Sequence, residues 1–171
     1  MTEATVLERA PAADLQQVVG LEASDYADTF TTSAPDEIGD DVQRAARRFM
    51  ASVPTGARWL LAGRDRIARL IDRGAERHAA QGSDESMPVV VGERLSMFRV
   101  YRVDGDEIVI GEEDRLMRYR ILLRLNPESR RFTCATVVEY RSNPLGRLYF
   151  VAGLPVHCWF VRSTMRRYAG S

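Results

Sequence analysis

The chain has 171 residues, 45% of them hydrophobic, with 24 basic and 24 acidic residues and a formal net charge of zero. That is enough apolar material for a sizeable core in one globular domain spanning 1–171, and too even a charge for the basic footprint of a nucleic-acid binder. Every basic residue is arginine, which excludes a Schiff-base lysine, a PLP lysine and a P-loop lysine, and two histidines are too few for a three-histidine zinc site. No Cys-x-x-Cys, Gly-x-Gly-x-x-Gly or Gly-x-Ser-x-Gly occurs, and no cofactor or metal is expected. Met1 to Thr5 lack the basic-then-apolar pattern of a secretory leader. Cys134 and Cys158 are too few for a secreted disulfide framework, so a cytoplasmic home is expected.

Residues 1–24 read as irregular, with a short turn or strand at Leu15–Leu21. Asp25 to Thr32 reads as a first strand on the β-formers Tyr26, Thr29 and Phe30. A helix begins near Pro35, its N-terminus marked by Asp36, Glu37, Asp40 and Asp41 and its apolar stripe by Ile38, Val42, Ala45, Ala46 and Phe49. Pro54–Gly56 breaks it, Trp59 to Asp72 forms a second helix, and 74–96 is mostly loop, holding His78 as a solvated side chain and a short edge strand at Pro88–Val91.

Met97–Val103 and Asp106–Glu112 flank Asp104-Gly105, a two-residue hairpin turn. Asp114 to Asn126 alternates with period two. Met117, Tyr119, Ile121, Leu123 and Leu125 share one face, while Arg118, Arg120 and Arg124 form a basic row on the other, read as a wet face offset by Glu139. Pro127 ends that strand, and Phe132 to Arg141 returns with Phe132, Cys134, Thr136, Val138 and Tyr140 on one face. Asn143-Pro144 then starts a long helix. From Leu148 to Val161 it carries no formal charge. The run is too short for a membrane span and is broken by Gly153 and Pro155, so it reads as a helix buried on most sides against the sheet and kinked at Pro155.

An apolar helix facing an apolar sheet face, with few polar groups converging, suits a cavity for a small hydrophobic or aromatic molecule. Met117, Ile121, Thr136, Val138 and Trp159 are the candidate ligand-binding residues. His157, the histidine inside the apolar run, is the candidate acid/base, and Tyr119 and Tyr140 are candidate hydrogen-bond donors on inward faces. Glu112 and Asp114 share a strand face where a carboxylate's pKa would rise if it lay at a pocket mouth; a solvated strand end is the plainer reading. A homodimer is left open.

The order strand, helix, helix, antiparallel meander, long C-terminal helix resembles the helix-grip fold of START-like (SRPBCC) proteins, an α+β fold whose curved antiparallel sheet wraps a C-terminal helix around a cavity. Within it, the chain is similar to a bacterial family of unknown function, some members of which follow a short-chain-dehydrogenase-like domain. The residues carrying the likeness are Asp25-Tyr26-Ala27-Asp28-Thr29-Phe30, Arg58-Trp59-Leu60-Leu61, Arg64-Asp65-Arg66 and Gly111-Glu112-Glu113-Asp114-Arg115. Thr136-Val137-Val138, Leu145-Gly146-Arg147-Leu148-Tyr149 and Pro155-Val156-His157 complete it. Where the family pattern continues His-Leu-Asp after Asp114-Arg115, this chain has Leu116, Met117 and Arg118. The resemblance implies ligand binding in the cavity, or a cofactor-independent cyclase, isomerase or dehydratase of polyketide-type metabolism using the same cavity, or, less directly, a protein-interaction module.

Overall fold

The computed structural model describes residues 6–9, 15–21, 24–54, 88–113, 117–141 and 145–170. The helix expected at 59–72, the loop with His78, Asp114 and the Asn143-Pro144 helix start lie outside the described residues. The strands are β1 (Leu7–Arg9), β2 (Tyr26–Ser33), β3 (Arg94–Leu95), β4 (Phe98–Asp104), β5 (Glu107–Glu113), β6 (Met117–Asn126) and β7 (Arg131–Tyr140). The helices are α1 (Leu15–Val19), α2 (Val42–Ala51) and α3 (Leu145–Gly170), with a 3-10 turn at Asp36–Ile38. The fold is α+β. All seven strands form one antiparallel sheet in the order β1-β2-β7-β6-β5-β4-β3.

The β4–β7 meander follows from local chemistry. Gly105, with φ +46°, opens the β4–β5 turn, whose two loop residues are Gly105 and Asp106, one position later than the sequence suggests, because Asp104 pairs with Glu107. In the β6–β7 turn Asn126 Oδ1 accepts from the Ser129 amide at 2.8 Å and its hydroxyl at 2.9 Å. Asp41 caps α2, accepting from the Gln43 and Arg44 amides at 2.8 and 3.1 Å. The expected stripe Ile38, Val42, Ala45, Ala46 and Phe49 is buried. The edge strand expected at Pro88–Val91 forms instead at Arg94–Leu95. Val89 is held by its amide donating to Gln43 Oε1 on α2.

Both sheet faces are covered. On the inner face Phe132 of β7 meets Phe49 of α2 (ring centroids 5.5 Å) and Tyr168 of α3 (4.5 Å), in a core with Phe30, Ile108, Ile110 and Leu123. The outer face was expected to be wet. Instead Leu15, Val19 and Leu21, on and just after α1, bury Val109, Leu122, Ala135 and Val137 beneath them. Arg120, from the expected basic row, is 6% exposed. Its guanidinium lies 3.5 Å from the Tyr101 ring centroid, and Nη1 donates to the Tyr119 carbonyl. The shift in β4–β5 register between Val100 and Arg102 leaves Tyr101 out of the ladder, and the bulge adds to the sheet's curvature. Arg118 and Arg124 keep surface partners, Glu139 and Glu107.

α3 was expected to be buried on most sides, but it buries a single stripe, and its arginines Arg162, Arg166 and Arg167 are exposed. Val161, Thr164, Met165 and Tyr168 recur at helical spacing and seat its C-terminal half against the sheet. Its N-terminal half instead exposes Val151, Gly153, Pro155, Val156 and Trp159. Pro155 lies inside the helix, where it withholds the amide that the Val151 carbonyl would otherwise accept from. Among the described residues, no helix is long and apolar enough to cross a membrane.

Candidate functional site

Where the N-terminal half of α3 does not press onto the sheet, a cavity of about 310 Å³ remains. β6 contributes Met117, Tyr119 and Ile121, β7 contributes Cys134, Thr136 and Val138, and α2 contributes Phe49 and Met50. Phe98 and Val53 add to the wall, and α3 roofs it with Phe150, Gly153, Val156, His157, Phe160 and Val161. The strand residues arrive there because alternate side chains of β6 and β7 point to the same inner face, in register: Met117 opposite Tyr140, Tyr119 opposite Val138, Ile121 opposite Thr136. Gly153 and Val156 are exposed, so the cavity reaches solvent beside them.

The wall is mostly apolar; besides Tyr119 and Thr136 it carries the polar side chain of His157, where α3 faces β2. There His157 Nε2 lies 2.8 Å from Asp28 Oδ2, and the Tyr26 hydroxyl donates to the same oxygen at 2.8 Å. The Cys158 thiol is 3.9 Å from that hydroxyl. Asp28 is 4% exposed and stands on β2 opposite Thr136. Asp28 Oδ1 and Thr136 Oγ1 are both buried, with no hydrogen-bond partner among the described residues. Rings enclose this end: Tyr26 to Phe150 is 4.8 Å between centroids, and Tyr26 meets the His157 ring edge-on at 6.1 Å. Burial and, next, the Asp28 carboxylate hold the Tyr26 hydroxyl far above its ordinary pKa, so it serves as a fixed donor. Burial does the same to the Cys134 thiol, with Asp28 adding to it.

Of the residues expected from sequence, Met117, Tyr119, Ile121, Thr136, Val138 and His157 meet in the cavity wall. Tyr140 is not in it. It stacks behind Phe150 at 5.8 Å, its amide donates to Asp25 Oδ2 at 2.7 Å, and burial raises its pKa. Trp159 is 54% exposed on the outer side of α3, which corrects its placement as a ligand-binding residue: two positions beyond His157 on a helix is about 200° around the axis. Glu112 is taken up by an ion pair with Arg94. Sequence reasoning missed Asp28 and Tyr26. The available signal was an acid at an inward position of β2, between Tyr26 and Phe30.

An antiparallel sheet, a long C-terminal helix across one face and an apolar cavity whose wall holds an imidazole backed by a buried carboxylate define an α+β cavity protein. Residues 21–164 match the family described as a protein of unknown function (DUF2867), and the chain belongs to that family. No curated protein and no solved structure matches the chain.

Proposed function

We propose that the protein binds a small hydrophobic or aromatic molecule in the cavity between the sheet and α3. The observation that carries this is the cavity itself: about 310 Å³, walled mostly by Phe, Met, Val and Ile side chains, with few polar groups, His157, Thr136 and Tyr119 among them. Pockets for small organic molecules have this composition, because apolar contact supplies affinity and a few polar atoms set orientation. The helix-grip assignment belongs to the same reading, since a sheet facing a long C-terminal helix across a cavity is what that fold requires. Native mass spectrometry of protein purified from its own host tests it. The expected result is a copurified organic mass lost on denaturation. A bare protein mass, together with no uptake of a neutral aromatic dye, overturns it.

The Asp28–His157 pair supports a second reading, a cofactor-independent cyclase, isomerase or dehydratase. A carboxylate behind an imidazole fixes the ring's orientation and tautomer, and a shaped apolar cavity holds the substrate against it. His157 is the acid/base in that reading and Tyr119 a donor on the facing strand. Full turnover of the natural substrate by a His157→Ala variant would end it.

A further inference from the structure

We propose that the polar end of the cavity selects a ligand that donates a hydrogen bond, a phenol or alcohol on an aromatic body, with His157 as its acceptor and Asp28 as the residue that holds the ring in that state. The inference rests on the cavity-binding reading and adds the chemical class of the ligand.

A carboxylate oxygen only accepts, so the 2.8 Å contact to Asp28 Oδ2 assigns the hydrogen to His157 Nε2. In the neutral ring Nδ1 is then the acceptor. The Tyr26 hydroxyl is spent on the same Asp28 oxygen, so it and the His157 Nε2–H both face the carboxylate. What is left for a ligand at this end is the accepting Nδ1 of His157 in the wall; Asp28 Oδ1 and the Thr136 hydroxyl are buried behind it. No arginine lines the cavity among the described residues, and Asp28 places a negative charge at this end. A carboxylate or phosphate head would therefore meet repulsion with no arginine among the described wall residues to offset it. The aromatic side chains Phe49, Phe98, Tyr119, Phe150 and Phe160 in the wall suit a flat ring system.

The test is displacement of N-phenyl-1-naphthylamine, a neutral dye that brightens in apolar surroundings, at pH 8. The competitors are 2-naphthol, 2-methoxynaphthalene and naphthalene-2-carboxylate, compared across wild type, His157→Phe and Asp28→Asn. The methoxy compound keeps the oxygen and loses the donor, so the naphthol-to-methoxy affinity ratio reads the hydrogen bond itself. That ratio is expected to fall about tenfold in His157→Phe, the size of one good bond to a basic acceptor. Asp28→Asn is expected to weaken naphthol and strengthen the carboxylate, a change of selectivity that loss of packing alone would not produce. Asp28→Asn keeps the side-chain shape and carries the test if His157→Phe does not fold. Equal ratios in all three proteins, or a wild type that prefers the carboxylate, overturn this proposal and leave the cavity reading standing. A wild type that takes up no dye overturns the cavity reading, and this one with it.

Discussion

Asp28→Asn is expected to leave the protein within about 1 kcal/mol of wild-type stability, or above it, although Asp28 is almost fully buried and receives two hydrogen bonds. The amide oxygen can take the place of Oδ2 and keep both donors. Each bond then drops from charge-assisted to neutral strength, a loss of about 1 kcal/mol apiece and roughly 2 in all. Against that, burying an ionised carboxylate costs several kcal/mol unless it is well paired, and here one of its oxygens has no partner among the described residues. Removing the charge relieves a penalty at least as large as the loss. Urea unfolding followed by circular dichroism measures the balance, with the slope checked for constancy so that the midpoint reports stability. A loss above about 3 kcal/mol would refute the reasoning, because it would make Asp28 a structural anchor whose ionic bonds outweigh its desolvation. A neutral or positive result marks Asp28 as a charge the fold tolerates for use at the cavity.

Gly111→Ala should cost about 1–3 kcal/mol or prevent folding: a Cβ there would sit 2.2 Å from the Tyr119 carbonyl oxygen on β6, and backbone cannot step aside without opening the β5–β6 ladder. Thermal melting reads it. Val138→Trp should fill the cavity from β7, abolish uptake of the neutral dye and leave the unfolding midpoint nearly unchanged, since its bulk enters existing space. Stability should also fall on the alkaline side. Burial holds the Cys134 thiol above its ordinary 9.0, and the Tyr26 and Tyr168 hydroxyls above 10.0, so the unfolded chain loses these protons first. Their contribution is complete below pH 9 and drains above it by up to about 1.4 kcal/mol per pH unit for each group. Urea midpoints from pH 8 to pH 11 check this, and Cys134→Ala should delay the onset toward pH 10.

The cavity's strand walls were legible because a strand's alternation is fixed by covalent geometry: once Met117, Tyr119 and Ile121 are assigned one face, the pairing with β7 brings Thr136 and Val138 beside them. The roof was less legible. A helix half without charges has no polar stripe to mark its outer side, so composition alone reads as burial all round. Which way Trp159 points was settled by Val161, Met165 and Tyr168, the residues that seat the following turns. The outer face misled for another reason. α1 is five residues long, too short to show a helical period, yet it covers Val109, Leu122 and Val137 and turns a supposedly wet face into a second core. Asp28 was harder still, since its partner is 129 residues away and no local pattern reports such a contact. Its position nevertheless carried a constraint. An acid facing inward from β2 must find a donor on whatever lies opposite, and α3 lies opposite. The uncharged run of that helix holds one imidazole, His157, and that residue meets the carboxylate where the helix leaves the sheet and the cavity begins.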